Sequence, residues 1–296
     1  MSLMFILLQG EVDLMKYTII CHKKLNWTIC LKSNSEELHK MWKNAFSRFD
    51  SIDLLLNAEN RKVLDTISVV KCNEYYKIEN LDLKVKTMAE AFGLAFDIAL
   101  SDSLNKVDNY VFLHGAAVEK NGMVDLIIAN TLGGKSTLSA LLCLKGYNYL
   151  SDDVIPINCK TLKAQSFPKP IFVRDVEIIK KYNKDYKLYF DVLDDKSVTY
   201  NRELNYDRRD IFVPNYTCNC EKEYEIRRII FIGRDVDLKK TVVLHLDKAN
   251  TYYQLLKNMR NAKLTEEIKM CIADLTKKNQ AFELKYSAGY NYLSFF

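Results

Sequence analysis

The chain has 296 residues, enough to bury a substantial core as one large domain or two small ones, and its 48% hydrophobic and 27% charged content is that of a soluble globular protein. A net charge of +5 suits binding of ATP or an acidic peptide, and with no aromatic–basic recognition motif it excludes a nucleic-acid binder built on a strong basic field. Nine Gly and four Pro leave little room for long linkers, and no apolar stretch approaches the roughly 20 residues that a membrane span needs.

Met1–Leu8 is apolar but lacks a basic leading segment and a cleavage site, so a first strand is expected there and not a signal peptide. Tyr17–Cys21 and Trp27–Leu31 are β-rich runs around a hairpin turn. Asn34-Ser-Glu-Glu37 has the form of a capping box, and Leu38, Met41, Trp42, Ala45 and Phe46 then fall on one helical face. Residues 1–85 read as a small α+β region without site chemistry. A second domain is expected over 86–296. It opens on a capping box, Thr87 with Glu90, and a helix whose stripe of Met88, Phe92, Phe96, Leu100 and Leu104 should lie on the central sheet.

Chemistry concentrates in the next stretch. Tyr110–Val118 is an apolar run carrying His114, and the turn Glu119–Gly122 folds it back toward Leu126-Ile127-Ile128. There follows Ala129-Asn130-Thr131-Leu132-Gly133-Gly134-Lys135-Ser136-Thr137, then an amphipathic run from Leu138 to Leu144. Strand, glycine turn and helix in that order form a phosphate cradle: free N–H groups and the helix dipole face an anion, Lys135 reaches the β/γ-phosphates, and Ser136 can ligate Mg²⁺. The pattern G-x-x-x-x-G-K-[ST] is met except at its first position, Ala129. Gly146 suits a helix C-cap, and Tyr147–Leu150 reads as the next strand. Asp152 and Asp153 then emerge at its carboxyl end, where ligands sit in open α/β sheets. Paired carboxylates there can hold a cation and accept a proton from an attacking hydroxyl.

His114-Gly-Ala-Ala-Val118, Gly134-Lys-Ser136 and Gly146-Tyr-Asn-Tyr-Leu-Ser-Asp-Asp-Val154 together resemble the core of the HPr serine kinase/phosphorylase family. His114 stands 21 residues before Lys135 and Asp152 stands 17 after it, as in that core. The resemblance runs from Leu113 to Pro170 and is stronger to HPr kinase-like relatives, which include precursor-peptide kinases of lasso-peptide type. It implies an α/β fold with a mixed sheet and an HPr kinase/PEP carboxykinase-like core. It also implies ATP and Mg²⁺ as cofactors, Asp152 as general base, Ser136 and Asp153 at the metal, Lys135 on phosphate and His114 lining the site. The family is oligomeric, so a homo-oligomer is an expectation. Thr137 stands where the parent enzymes carry an acidic residue, and their downstream Gly-containing segment has no match. Phosphorylase activity, and HPr as acceptor, are therefore not carried over.

Lys169 and Arg174 flank Pro170–Val173, and either cation could reach phosphate or substrate. Residues 176–225 read as a polar insertion of weak periodicity, in which Arg208-Arg209 could hold a phosphate or an acidic peptide. Strands are expected at Arg228–Ile232 and Thr241–Leu246, helices at Tyr252–Met259 and Thr265–Lys277, and a docked final strand at Tyr290–Phe296. Of eight scattered cysteines only Cys218 and Cys220 are close, with no His nearby. That argues against zinc and for free, mostly buried thiols in a reducing cytoplasm.

The leading expectation is an ATP-dependent kinase acting on a serine or threonine hydroxyl of a peptide or small protein, such as a natural-product precursor peptide. A nucleotide-binding regulatory or scaffold protein without turnover stays open on the strength of Ala129. A small-molecule kinase on the same core stays open too.

Overall fold

The computed structural model describes residues 15–54, 65–130, 132–174, 176–193, 197–201, 205–235, 237–286 and 291–296. The strand expected at Met1–Leu8 and the site residue Thr131 lie outside them.

The expected hairpin forms from β1 (Lys16–His22) and β2 (Trp27–Ser33), paired antiparallel with His22 opposite Trp27. Asn26 closes its turn at φ 49°, a conformation that Asn tolerates better than most residues. Helix α1 (Glu36–Ala45) starts one residue later than a box on Asn34 requires: Ser35 is the cap and accepts from the Leu38 N–H. The Asn34 amide is committed elsewhere, exchanging two bonds with the backbone of Lys71. With β3 (Asp50–Leu54), β4 (Asp65–Lys71), β5 (Tyr76–Ile78) and β6 (Leu83–Val85), the hairpin completes a sheet ordered β3-β1-β2-β4-β5-β6.

Helix α2 (Met88–Leu104) carries the expected box, with Thr87 and Glu90 each bonding the other's backbone. Its stripe does not face the central sheet as expected. Phe92 and Phe96 lie against Trp42 of α1 and Phe46 at its C-cap, because α2 runs over β2 and β4, whose Ile29, Leu31, Ile67 and Val69 share its core cluster. Phe96 also reaches forward to Phe172, so one core cluster joins the two halves of the chain.

The second half is built on β7 (Tyr110–Leu113), β8 (Gly115–Lys120), β9 (Met123–Ile128), helix α3 (Lys135–Leu144), β10 (Asn148–Asp152), β11 (Ile155–Asn158) and β12 (Ala164–Gln165). It continues through β13 (Ile171–Val173), α4 (Val176–Tyr182), β14 (Phe190–Val192), β15 (Ser197–Asn201), β16 (Asn205–Pro214) and β17 (Glu223–Arg234). It ends with β18 (Val242–His245), α5 (Lys248–Lys257), α6 (Glu266–Lys278) and β19 (Gln280–Tyr286). The central sheet is mixed: β9, β17 and β19 run parallel, β8 pairs antiparallel with β9 and with β10, and β18 pairs antiparallel with β19. The described residues of 176–225 hold more order than their periodicity suggests, since β16 pairs with β13, β14 and β15 and buries Ile211, Phe212 and Val213.

The tail is docked but is not a strand. Asn291–Phe295 forms a 3₁₀ turn, because β19 already occupies the sheet position beside β17. Tyr147 donates to the Phe296 carbonyl at 2.6 Å, and Arg228 lies 4.4 Å over the Phe295 ring. All eight cysteines are free, four buried and four half-buried. Among the described residues no helix is long and apolar enough to cross a membrane.

Candidate active site

Three neighbouring strands bring the predicted residues together. The β8–β9 register sets Gly115 opposite Ile128, so His114 stands beside the start of the loop that follows β9. Asp152 pairs with Ala116, which pairs with Ile127, so one row crosses β10, β8 and β9. A register shift between Tyr149 and Ser151 sets the facing of that row. Without the extra residue, Asp152 would take the opposite face of the sheet from Ala116 and Ile127, which lie under α3.

The loop turns sharply into α3. Gly134 is its N-cap at φ 84°, and helix residues start at Lys135 as the glycine pattern predicts. Ala129 is absent from the positive-φ positions, so alanine sits there without the strain that a left-handed backbone would impose. Its methyl is accommodated by Gly133, where a Cβ would come within 2.6 Å of it. Leu132 is left-handed at φ 68° and half exposed, and Asn130 is exposed. Ser136 and Thr137 are half-buried on the first turn.

Lys135 is buried by this loop. Its Nζ donates to the carbonyls of Ala129 at 2.9 Å and Asn130 at 3.2 Å. Burial lowers its pKa, while the nearby charges of Asp153 and Asp152 act the other way. The ammonium therefore bonds the loop's own carbonyls and is near enough to both carboxylates to feel their charge.

The adjacent aspartates occupy contrasting environments. Asp152 has no exposed surface, and neither carboxylate oxygen has a hydrogen-bond partner. Burial, then the charge of Asp153, raises its pKa. The Ser136 hydroxyl is near enough to oppose that rise without the geometry of a full hydrogen bond. Asp153 follows in a left-handed conformation at φ 58°, which swings its side chain toward Lys169. Its burial would raise its pKa, but Lys169 and then Arg260 outweigh that and hold the carboxyl well below the usual range.

Lys169, expected as a cation for phosphate or substrate, is committed to this pair. Its Nζ sits 3.0 Å from Asp153 Oδ2, fully buried between the rings of Phe96 at 5.3 Å and Phe172 at 5.1 Å. Arg174 is exposed and lies close enough to Lys135 for its charge to be felt there.

Arg260 was not foreseen. The expected helix to Met259 ends at Lys257, and the following segment runs beside β7, with the His114 N–H donating to Asn258 and the Arg260 N–H to Phe112. The guanidinium donates to His114 Nδ1 from Nε at 3.2 Å and from Nη2 at 2.9 Å. Nδ1 is therefore an acceptor, the ring proton sits on Nε2, and the 3.3 Å approach of Nδ1 to the Asp153 carbonyl is a contact without a shared proton. Burial, Lys135 and Arg260 lower the His114 pKa to about 4. Nothing local in Asn258-Met-Arg-Asn261 signals this placement, which only the fold makes.

Among the described residues no three His, Cys, Asp or Glu side chains gather into a metal cluster. Mg²⁺ rarely uses one, being held by one or two carboxylates plus substrate phosphates. The adjacent carboxylates of Asp152 and Asp153, the first with two unpartnered oxygens and near the Ser136 hydroxyl, fit that requirement. Two cavities of about 380 and 470 Å³ lie around Asp108–Tyr110, at the other end of β7, and no residue of this site lines either.

No protein-family model matches the chain, and no curated protein does. A matching solved structure is the Hpr(Ser) kinase/phosphatase from Coxiella burnetii, 15% identical, covering 62% of this chain and 90% of that one, with a TM-score of 0.27. A likeness so distant carries no argument about chemistry.

Proposed function

We propose that this chain is an ATP-dependent kinase that phosphorylates a serine or threonine hydroxyl of a peptide or small protein. The observation that carries the reading is Asp152: a fully buried carboxylate, unpartnered at both oxygens, set beside Ser136 at the head of a glycine-turned helix. An unpartnered buried carboxylate is costly, and a ligand or reacting group that engages it is the reading this placement supports best.

The Gly133–Ser136 turn and the α3 dipole receive the phosphates, and Lys135 exchanges its loop carbonyls for phosphate oxygens. Ser136 and Asp153 would hold Mg²⁺, which would supply neutralisation of the phosphate charge. Asp152, the more basic carboxylate, takes the hydroxyl proton of the acceptor. Asp153, kept ionised by Lys169, supports the metal side. Arg260 and neutral His114 border Asp153 and can steady the transferred group.

The test is incubation with γ-labelled ATP and the proteins encoded beside its gene. Label on a seryl or threonyl residue is expected with the native chain, and its rate is expected to fall by about 10²–10⁴ in Asp152→Asn. Undiminished transfer by that variant would remove Asp152 as base.

A further inference from the structure

The phosphate loop is fastened from outside by a residue on β19. The Tyr286 hydroxyl donates to the Gly133 carbonyl at 3.1 Å, and a Cβ added to Gly134 would fall 2.6 Å from that hydroxyl. The ring is anchored in the core around α3, with Ala129, Leu138 and Leu141, and the Tyr286 carbonyl is itself tied by the Asp235 N–H. In a trans peptide the C=O and the following N–H point in opposite directions. Holding the Gly133 carbonyl toward Tyr286 therefore aims the Gly134 N–H to the other side, away from β19.

We propose that Tyr286 is a positioning residue for phosphate recognition: its hydroxyl fixes the Gly133–Gly134 peptide so that the Gly134 N–H is presented to the anion before binding. This rests on the nucleotide reading of the loop. Fixing a donor in advance removes an ordering cost from the binding step. It also gives Gly134 two reasons to be glycine, its φ of 84° and the hydroxyl against it.

Tyr286→Phe removes the hydroxyl and keeps the ring. The variant and the native chain are titrated by calorimetry with MgATP and, separately, with inorganic tripolyphosphate. Loss of one oriented hydrogen bond is expected to raise both dissociation constants about three- to tenfold, with the thermal midpoint moved by less than about 2 °C. The Gly134 amide resonance is expected to shift less on tripolyphosphate binding in the variant. Equal affinities in the two proteins overturn the positioning role and leave the nucleotide reading standing. So does a loss confined to MgATP, which would place the effect outside the phosphate cradle. Failure of the native chain to bind either probe overturns the nucleotide reading and this inference with it.

Discussion

Lys169 Nζ lies 3.0 Å from Asp153 Oδ2, and the lysine side chain has no exposed surface while the aspartate keeps about a quarter of its own. The ammonium therefore depends on the carboxylate more than the reverse. Asp153→Ala strands a buried cation between two aromatic rings and is expected to cost about 3–5 kcal/mol. Lys169→Met places an apolar chain of similar length between those rings and leaves a partly hydrated carboxylate near Arg260, at a cost under about 2 kcal/mol. Urea denaturation of both variants checks the order, and the reverse order would contradict the dependence.

Asp152 gives a pH signature of the opposite kind to an ordinary salt-bridged acid. Its folded pKa is raised, so the ionised form is the less stable one in the folded protein. The penalty is absent below the ordinary carboxylate value of about 4, grows as pH rises toward the folded value, and is constant above it. Asp152→Asn, neutral throughout, should match the native thermal midpoint near pH 4 and exceed it at pH 8, by about 1–3 kcal/mol in stability. A difference that does not vary with pH would show that Asp152 does not titrate as the site requires. Gained stability with lost turnover is the trade-off expected of a strained catalytic group.

His114 should titrate near 4, since its folded pKa is depressed by burial, Lys135 and Arg260. Its neutral form is the stable one in the folded state. Stability from this group is thus full above the unfolded value of about 6.5 and is lost as pH falls through the folded one. Arg260→Gln removes one of the three causes and should raise the midpoint, as read from the imidazole proton resonance. A native midpoint at or above 6.5 would contradict the Arg260–His114 geometry.

Gly134 and Gly146 form a matched pair, with φ of 84° and 81°. A Cβ at Gly146 meets nothing within 4 Å, whereas at Gly134 it meets the Tyr286 hydroxyl at 2.6 Å. Gly146→Ala should cost only the left-handed penalty of about 1–2 kcal/mol. Gly134→Ala should cost more and also weaken nucleotide binding. Equal losses of thermal midpoint would mean that Tyr286 yields freely and does not fix the loop.

Local signals made the loop legible. Glycine, lysine and a hydroxyl at a helix start have few alternatives, and the helix starts at Lys135 as they require. His114 and Asp152 were reachable because one short hairpin and one helix separate them from the loop. Other features were not legible. The bulge in β10, which sets which face Asp152 takes, leaves no compositional mark. The Lys169–Asp153 pair was missed because each charge, taken alone, suits a phosphate or a metal. Arg260 and Tyr286 come from far along the chain and meet the site only through strand pairing with β7 and β17. The packing of α2 was misassigned because an apolar stripe announces burial but not its partner.

The central claim is that the Gly133–Ser136 turn binds nucleotide phosphates with Lys135 as their charge partner. Calorimetric titration of MgATP into the native chain and into Lys135→Ala tests it most directly. Native binding is expected at or below about 1 mM, the usual range for enzyme substrates. Binding at least about tenfold weaker, the equivalent of about 1.4 kcal/mol, is expected in the variant. Native protein that takes up no MgATP, or a variant that binds it as tightly as the native chain, would contradict the claim.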